Sequence, residues 1–282
     1  MHIIADSGST KTEWVICQGK EVRKRFETIG FNPYYYSSDV LKKIVDTKLM
    51  PSITYKKIEH IYFYGSGCSS EQNQKVIKDA LIPGFDNASI QIFHDLLGAA
   101  RSLFGKSKGI AGILGTGSNS GLYDGKEVTH NIPSLGYFFG DDGSGSNLGK
   151  RLINDYLTEK MPVDYKKEFD KQFNYSFDYI LSQIYTKGNP VKFFASFSPF
   201  IIQNIEKDYF ENLVIAAFSD FFSMNICKYP NYQEYPLKFI GSIAFIYKDL
   251  LKEVARLFGC EIIAIEKAPM KGLIDFHSNF IN

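Results

Sequence analysis

Residues 3–14 decide the fold, and they read Ile3-Ile4-Ala5-Asp6-Ser7-Gly8-Ser9-Thr10-Lys11-Thr12-Glu13-Trp14. A short apolar run ends in one carboxylate, Asp6, and small or hydroxyl-bearing residues follow it directly. The chain then becomes apolar again over residues 14–17. This alternation predicts a strand, a tight turn and a second strand.

The turn after Asp6 has little side-chain bulk, so its backbone N–H groups can close around phosphate oxygens. Asp6 itself can hold a divalent cation through the water shell of the ion, because Mg²⁺ gives up water reluctantly. An ordinary hairpin with a polar turn is the alternative for this stretch. The Gly-x4-Gly-Lys-Ser/Thr spacing of a Walker loop is missing, so the turn is not a P-loop.

The opening pattern recurs in the second half of the chain. Gly109–Leu114 reads as a strand, and a second small, hydroxyl-rich turn follows as Gly115-Thr116-Gly117-Ser118-Asn119-Ser120-Gly121. A hairpin over residues 122–130 comes next. An internal repeat of this kind predicts two similar half-molecules that face each other.

Strand–helix units complete each half. Apolar runs end in a carboxylate at Asp95 and in small residues at Gly241-Ser242, and residues 160–236 are mostly helical and aromatic. The predicted architecture is a mixed sheet flanked by helices. The other predicted strands are Val22–Ile29, Ile58–Tyr64, Ser89–His94, Leu237–Ile240 and Glu261–Ile265, and the predicted helices include Ser38–Leu49, Ser70–Leu81, Leu96–Phe104, Ser146–Leu157, Asp208–Tyr229, Ile246–Phe258 and Ala268–Phe280.

Bulk properties exclude several classes of protein. The 282 residues carry a formal net charge of +1, so neither nucleic acid nor an anionic membrane is expected as a partner. No run of eighteen apolar residues and no signal peptide is found. The four cysteines form no CxxC pair, which argues against a zinc site and favours reduced thiols in a cytoplasmic protein.

The chain contains three small-residue turns, with the strand-end Asp95 between the first and the second and the segment Gly140-Asp141-Asp142-Gly143-Ser144-Gly145 between the second and the third. Together they resemble the actin/hexokinase/Hsp70 nucleotide-binding superfamily. The chain is most similar to eukaryotic-type N-acetylglucosamine kinase, within the BadF/BadG ATPase group. The resemblance covers nearly the whole chain, and its most specific segments are 113–119 and 139–145.

The resemblance implies a fold, a reaction and its cofactors. The fold is α/β, a two-lobed ribonuclease H-like (actin-like ATPase) duplication with an interlobe cleft. One lobe spans residues 1–115, with the C-terminal helix 269–282 packing back on it, and the other spans 116–268. The reaction is ATP- and Mg²⁺-dependent phosphorylation of an amino sugar, on the 6-hydroxyl of N-acetylglucosamine. The partner is thus a small-molecule sugar, and a homodimer stays open as the assembly.

The resemblance also assigns roles to single residues. Asp95 takes the place of the catalytic base, and Asp6 takes the place of the metal-associated aspartate. Asn32 precedes Pro33, whose ring favours an extended backbone, and so presents its amide to the sugar. Nucleotide binding falls to Gly8, Ser9, Thr10, Lys11, Gly115, Thr116, Gly117, Gly241 and Ser242, and sugar binding to Asn32, Ser66, Thr116, Gly117 and Asp141.

Other readings of these residues stay open. Asp95 can be a helix N-cap, which is common for aspartate, and His94 beside it is expected in the core of the sheet. Asp142 is expected to cap the following helix, with a second carboxylate in the site as the alternative. Lys11 either pairs with phosphate or is simply solvated, and Trp14 is expected in the core.

Three functional hypotheses follow. The first is the amino-sugar kinase, with N-acetylmuramic acid or another hexose as alternative substrates, because the chain is shorter than typical family members and its sugar loops are in doubt. The second is the activator ATPase of the same group, which needs cysteines near the second phosphate turn. Residues 115–157 contain no cysteine, which argues against it. The third is a non-catalytic sugar sensor.

Overall fold

The computed structural model describes residues 1–8, 10–53, 57–186 and 189–278. The chain divides into two compact units. Unit 1 comprises Met1–Ser107, Asp124–Val128 and Ala268–Asn282, and unit 2 comprises Lys108–Tyr123 and Thr129–Lys267. Two five-stranded sheets carry the fold, and the α/β class predicted from the sequence is confirmed.

The elements alternate along the chain as strand–helix units after each opening group of strands. The strands are β1 (His2–Ser7), β2 (Lys11–Gln18), β3 (Glu21–Ile29), β4 (His60–Gly65), β5 (Ser89–His94), β6 (Gly109–Leu114), β7 (Ser118–Tyr123), β8 (Val128–Asn131), β9 (Leu237–Ile240) and β10 (Ile262–Glu266). The α-helices are α1 (Ser38–Ile44), α2 (Glu71–Leu81), α3 (Asp95–Phe104), α4 (Gly136–Phe139), α5 (Gly145–Leu157), α6 (Val163–Phe173), α7 (Phe177–Tyr185), α8 (Pro190–Ala195), α9 (Ser198–Gln203), α10 (Asp208–Met224), α11 (Ser242–Ile246), α12 (Lys248–Leu257) and α13 (Met270–Ser278).

The two sheets have the same topology. In the first sheet the order is β3-β2-β1-β4-β5, and in the second it is β8-β7-β6-β9-β10. Strands β1 and β2 pair antiparallel while β1, β4 and β5 run parallel; likewise β6 and β7 pair antiparallel while β6, β9 and β10 run parallel. The internal repeat predicted from the two small-residue turns is therefore present in the fold.

Both faces of the first sheet are covered, which explains why residues 3–5 of β1 and 61–64 of β4 are all buried. Successive side chains of a strand point to opposite faces. Ile3 packs with Trp14 and with residues of α1 and α2 on one face, whereas Ile4 packs with Leu273 of α13 on the other. Trp14 is fully buried, as predicted, and its Nε1 donates to Thr28 Oγ1 at 2.8 Å.

Unit 2 holds most of the aromatic residues of the chain in a helical core beside its sheet. The Phe169 ring stacks on Phe197 with a centroid distance of 5.6 Å and meets Phe200 edge-on at 5.5 Å, both arrangements that aromatic pairs favour. Helix α10 adds Phe218 and Phe221, both fully buried. The helical and aromatic character predicted for residues 160–236 is thus observed.

Several helices end earlier than the periodicity of the sequence predicts. The helix expected over 38–49 is α-helical only to Ile44 and continues as a π-helical turn over Val45–Leu49. Helix α10 ends at Met224 rather than at 229. The helix expected over 246–258 is α12, Lys248–Leu257, and the separate short helix α11 precedes it. The apolar periodicity of the sequence continues past the ends of these helices, so it does not predict where a helix ends.

Within the described ranges, no helix is long and apolar enough to cross a membrane. Cys17, Cys68, Cys227 and Cys260 are all free thiols.

Candidate active site

The first small-residue turn joins β1 to β2. Gly8 N–H donates to Lys11 O at 3.0 Å and closes the turn. Within the described part of the chain, a Cβ built at Gly8 would meet only that carbonyl, at 3.8 Å, so the backbone of Gly8 is open to an approaching group. Ser9, predicted among the triphosphate residues, lies outside the described residues, and Thr10 is exposed.

Asp6 lies within β1, one residue before its end, where it pairs with Glu13 of β2 and Tyr64 of β4. Burial raises the pKa of the Asp6 carboxyl to about 7, and the negative charges of Asp95 and Glu13 add to the effect. Among the described residues, no group donates a hydrogen bond to this carboxylate. The charge of Lys11 opposes this shift without cancelling it, so a further cation would favour the ionised carboxylate.

The described residues contain no cluster of three or more His, Cys, Asp or Glu side chains arranged to ligate a metal. One or two carboxylates without further protein ligands suit Mg²⁺, which takes its remaining ligands from water and substrate phosphates. Asp6, with Asp95 close enough to raise its pKa, fits such an ion.

Asp95 is the first residue of α3, and both of its oxygens accept hydrogen bonds. Oδ2 accepts from Ser66 Oγ at 2.7 Å, and Oδ1 accepts from Leu96 N–H at 2.8 Å. The N-cap of α3 is His94 instead, whose Nδ1 accepts from Leu97 N–H at 3.2 Å. The interpretation of Asp95 as the cap is thus wrong, and so is the expectation that His94 is only a core residue.

The cap role of His94 requires an unprotonated Nδ1. Burial lowers the pKa of His94, although the charge of Asp95 opposes the shift. The neutral ring can therefore accept from the helix terminus while the Asp95 carboxylate stays directed towards Ser66.

The parallel strands bring the predicted residues of unit 1 to one edge of the sheet. Ser7 pairs with Gly65, and Gly65 pairs with His94, so β1, β4 and β5 end side by side. Ligands of open α/β sheets bind outside the carboxyl ends of such strands. Ser66 extends the pairing because its N–H donates to Ser7 O at 2.8 Å.

Asn32 lies beside this edge and is 5 % exposed. Its Oδ1 accepts from Tyr34 N–H at 2.9 Å, and a Cβ added to Gly67 would come within 2.9 Å of the same oxygen. Gly67 has φ +81°, a conformation that favours glycine. The chain after Ser66 thus turns back onto the Asn32 amide.

Lys11 forms an ion pair with Glu27, with Nζ 2.6 Å from Oε1 and both side chains exposed. The hydrogen bond to Glu27 raises the pKa of Lys11. An exposed pair of this kind is weak, so Lys11 can leave it for an anion at the turn. Pairing of Lys11 with phosphate stays a prediction.

The second small-residue turn, in unit 2, is shorter than predicted. Strand β7 already begins at Ser118, so the turn consists of Gly115, Thr116 and Gly117, closed by Gly115 N–H donating to Gly117 O at 3.0 Å. Ser118–Gly121 pair with β6, because a strand tolerates small residues wherever its neighbours supply the packing.

The segment after α4 holds this turn in place. Gly145 N–H donates to Gly115 O at 2.8 Å and Ser146 N–H donates to Thr116 O at 3.0 Å. Asp141 Oδ1 accepts from Ser118 N–H at 2.9 Å, and a Cβ at Gly117 would lie 2.9 Å from that oxygen. Asp141, Thr116 and Gly117, all predicted to bind sugar, are therefore brought together.

Asp142 does not cap the following helix, contrary to the prediction. Ser144 is the N-cap of α5 and accepts from Asn147 N–H at 3.2 Å. Asp142 Oδ1 instead accepts from Asn147 Nδ2 at 3.3 Å. Burial raises the pKa of both Asp141 and Asp142.

The third turn, at the end of β9, depends on glycine. Gly241 has φ +125°, and a Cβ there would lie 2.2 Å from Leu114 O. Ser242 begins the short helix α11, which ends in the exposed side chains of Phe245 and Ile246. The turn therefore presents apolar surface beside Ser242.

The sequence reading did not recognise the role of Ser7 and Thr12, which belong to the opening stretch. Both are buried, with exposures of 1 % and 0 %, and their hydroxyls are 2.7 Å apart. The signal was available, because a hairpin with strand ends at positions 7 and 11 places Ser7 opposite Thr12 on one face of the sheet.

The comparison with solved structures gives close similarity. A structure named "putative N-acetylglucosamine kinase" from Porphyromonas gingivalis is 39% identical to this chain, with 99% of each chain covered and a TM-score of 0.95. A protein of the same name from Chromobacterium violaceum is 19% identical over 98% of each chain, with a TM-score of 0.76.

More distant structures share the fold alone. A ROK family glucokinase from Streptomyces griseus, in complex with glucose and AMPPNP, is 11% identical over 96% of this chain and 97% of its own, with a TM-score of 0.55. No protein-family model matches the chain, and no curated protein matches it.

Proposed function

The chain belongs to the N-acetylglucosamine kinase family of the actin-like ATPase fold, and we propose that it transfers the γ-phosphoryl group of ATP to the 6-hydroxyl of N-acetylglucosamine. The observation that carries this proposal is the pair of aspartates at the carboxyl edge of the first sheet. Asp95, bonded to Ser66, lies close enough to Asp6 to raise its pKa. A sugar kinase needs one carboxylate to take a proton and another to hold a cation.

Asp95 is the proposed general base. Its carboxylate accepts from Ser66 and Leu96, which fixes the plane of the group and leaves lone pairs for a substrate hydroxyl. Removal of the hydroxyl proton by a positioned base accelerates such reactions by roughly 10²–10⁴. In this proposal the proton of the sugar hydroxyl ends on an Asp95 oxygen.

Asp6 is the residue proposed to hold Mg²⁺, and the turn at Gly8, Thr10 and Lys11 is proposed to bind the phosphates. A bound Mg²⁺ supplies positive charge against the phosphate oxygens. In unit 2, Gly115–Gly117 is proposed as the second phosphate turn. Gly241 and Ser242, with the apolar end of α11, are proposed to contact the adenosine.

The sugar is proposed to bind through Asn32, Ser66, Thr116, Gly117 and Asp141. Sugars carry many hydroxyls, so their sites need convergent amides, hydroxyls and carboxylates. The buried Asn32 amide and the partly buried Asp141 carboxylate supply two of these groups. N-Acetylmuramic acid and other hexoses are the alternative acceptors.

The test is ADP release from Mg·ATP across a panel of N-acetylglucosamine, N-acetylmuramic acid, N-acetylmannosamine and glucose, with product position determined by NMR. We expect turnover with N-acetylglucosamine and phosphorylation at O6.

Asp95→Asn should lower kcat by about 10² or more with little change in melting temperature, because an amide oxygen can still accept from Ser66. ADP release without any sugar would favour an activator ATPase, and sugar binding without turnover would favour a sensor; either result would overturn the kinase.

A further inference from the structure

Two buried hydroxyls flank the first phosphate turn and have no role in the proposed chemistry. Ser7 ends β1 and Thr12 lies in β2, so the described turn residues Gly8 and Thr10 lie between them along the chain. Their side chains are 1 % and 0 % exposed, which keeps them away from any phosphate. Buried hydroxyls are retained only where their hydrogen bonds are made.

Both hydroxyls bond the same backbone group on a different segment. Phe31 N–H donates to Ser7 Oγ at 2.9 Å and to Thr12 Oγ1 at 3.1 Å, while Thr12 Oγ1 donates to Ile29 O at 3.1 Å. Ser7 Oγ and Thr12 Oγ1 are 2.7 Å apart. Each hydroxyl has one proton. With Thr12 donating to Ile29 O, Ser7 donates to Thr12, the shorter of its two contacts, the other being Phe31 O at 3.4 Å. The Phe31 amide proton is shared between two acceptors.

The segment that receives these bonds leads directly to the proposed sugar site. Phe31 is fully buried, and its ring packs 5.3 Å from Trp14 and 6.2 Å from Phe63. Its backbone is therefore fixed, and the next residue is Asn32. A second link runs in parallel, since Gly30 N–H donates to Thr10 O at 3.0 Å.

The turn between β1 and β2, proposed to bind the nucleotide, and the segment Gly30–Asn32, which leads to the proposed sugar site, are thus joined by short, buried hydrogen bonds. A shift of the turn when phosphates bind would displace Ser7 and Thr12 relative to Phe31, unless the segment moves with them. Leaving the Phe31 N–H or either hydroxyl without a partner in the core is unfavourable. The two segments are therefore expected to move together.

From this geometry we propose that Ser7 and Thr12 are positioning residues that couple nucleotide binding at Gly8, Thr10 and Lys11 to sugar binding at Asn32. The inference rests on the proposed function, since it takes both ligands from there. Coupling of this kind is reciprocal: each ligand changes the affinity of the other by the same factor, commonly about 5–150-fold.

The test measures that factor by calorimetry. The dissociation constant of a non-hydrolysable ATP analogue with Mg²⁺ is determined with and without saturating N-acetylglucosamine, in the wild type and in Thr12→Val, which keeps the shape and removes the oxygen. We expect a coupling of about 5-fold or more in the wild type and a coupling within about twofold of unity in Thr12→Val. Each ligand alone should bind Thr12→Val with nearly wild-type affinity.

Three further variants separate coupling from general damage. Ser7→Ala leaves Thr12 to accept from Phe31 N–H, so it should fold and show intermediate coupling even if Thr12→Val does not fold. Thr12→Ser restores the hydroxyl and should restore the factor. Ser102→Ala is the matched control, because it removes a serine hydroxyl of unit 1 that donates to Pro269 O at 2.8 Å, away from the turn.

Unchanged coupling in Thr12→Val and Ser7→Ala would overturn the inference, and so would a wild type without coupling. Loss of affinity for each ligand alone, with the factor preserved, would also overturn it in favour of a purely structural role. The kinase assay keeps the two proposals apart: a wild type that phosphorylates sugar without coupling refutes only this inference. A wild type that phosphorylates no sugar refutes the proposed function and, with it, this inference.

Discussion

Two buried histidines should make the stability of unit 1 depend on pH. His277 of α13 is 3 % exposed, and its ring stacks on Tyr62 with a centroid distance of 3.7 Å. Its Nε2 lies 2.8 Å from Tyr64 Oη, which accepts from Arg101 Nη1 at 3.0 Å. Since the Tyr64 hydroxyl already accepts from an arginine, it satisfies both neighbours by donating to an unprotonated Nε2.

The surroundings disfavour protonation of both rings. Burial lowers the pKa of His277 to about 3, helped by the charge of Arg101 and by His2. Burial also lowers the pKa of His2 to about 4, helped by the N-terminal amine and by His60. Both nitrogens of His2 are buried, and within the described part of the chain neither has a hydrogen-bond partner.

The sign of the effect follows from proton linkage. The unfolded histidines titrate near 6.5 and the folded ones near 3 and 4, so the unfolded state binds more protons between these values. The contribution of these two histidines is therefore full above pH 6.5 and is lost as the pH falls, whereas Asp6, whose pKa is raised to about 7, changes stability in the opposite direction. At one pKa unit per 1.36 kcal/mol, each histidine should cost about 2 kcal/mol at pH 5, or about 4 kcal/mol for both.

The assay is urea unfolding at pH 5, 6, 7 and 8, followed by tryptophan fluorescence. Trp14 is the single tryptophan of the chain and lies in the core of unit 1, so its signal reports that unit. His277→Gln retains an acceptor for Tyr64 without titrating, and it should reduce the loss between pH 8 and pH 5 by about 2 kcal/mol. The control is His130→Gln, which replaces an exposed histidine of β8. A pH dependence of His277→Gln equal to that of the wild type would refute the reasoning.

Two further predictions concern the proposed site. Asp6→Asn should lower kcat by roughly 10² or more, and near-normal turnover at saturating Mg²⁺ would remove Asp6 from the mechanism. The same variant should raise the melting temperature slightly at pH 8, because it removes an ionised carboxylate that is partly buried beside two other acids. Gly241→Ala should destabilise unit 2 by about 3 kcal/mol or more, since its Cβ would lie 2.2 Å from Leu114 O at φ +125°. Gly115→Ala is the control for stability, because a Cβ there meets no atom within 4 Å, and equal melting temperatures for the two variants would contradict the steric argument.

The sheets could be predicted from the sequence because local and tertiary signals agree in them. Strands β1 and β6 are almost fully buried, so their apolar runs over residues 3–5 and 110–114 are unbroken, and small residues follow each run closely. The repeat of that pattern was enough to predict the duplication. Helix ends were predicted less well, because the apolar spacing of residues 38–49 continues through the change from α- to π-helical bonding at Val45.

The positions of the side chains in the site could not be predicted, because neighbouring residues compete for the same hydrogen bond and the sequence does not show which of them makes it. His94 and Asp95 can both cap a helix, and the strand end at His94 decides that the ring accepts from Leu97 N–H. The carboxylate then faces Ser66, which is 29 residues away in the chain. Such a partner is set by the pairing of β4 with β5, which no local pattern contains.

The same competition explains why Asp142 was misread, and it shows what the segment does. Ser144 takes the cap position, which leaves Asp142 to accept from the Asn147 amide. Asn147 Oδ1 accepts in turn from Arg151 Nε at 2.8 Å, and Arg151 also pairs with Asp220 of α10. This chain of bonds ties the residue after Asp141 to two helices.

Asp141 is held at φ +58°, a strained conformation for a residue other than glycine that persists only where the surroundings enforce it. Because Asp141 in turn fixes Ser118 N–H beside the second turn, the polar residues of α5 serve the proposed site through backbone placement.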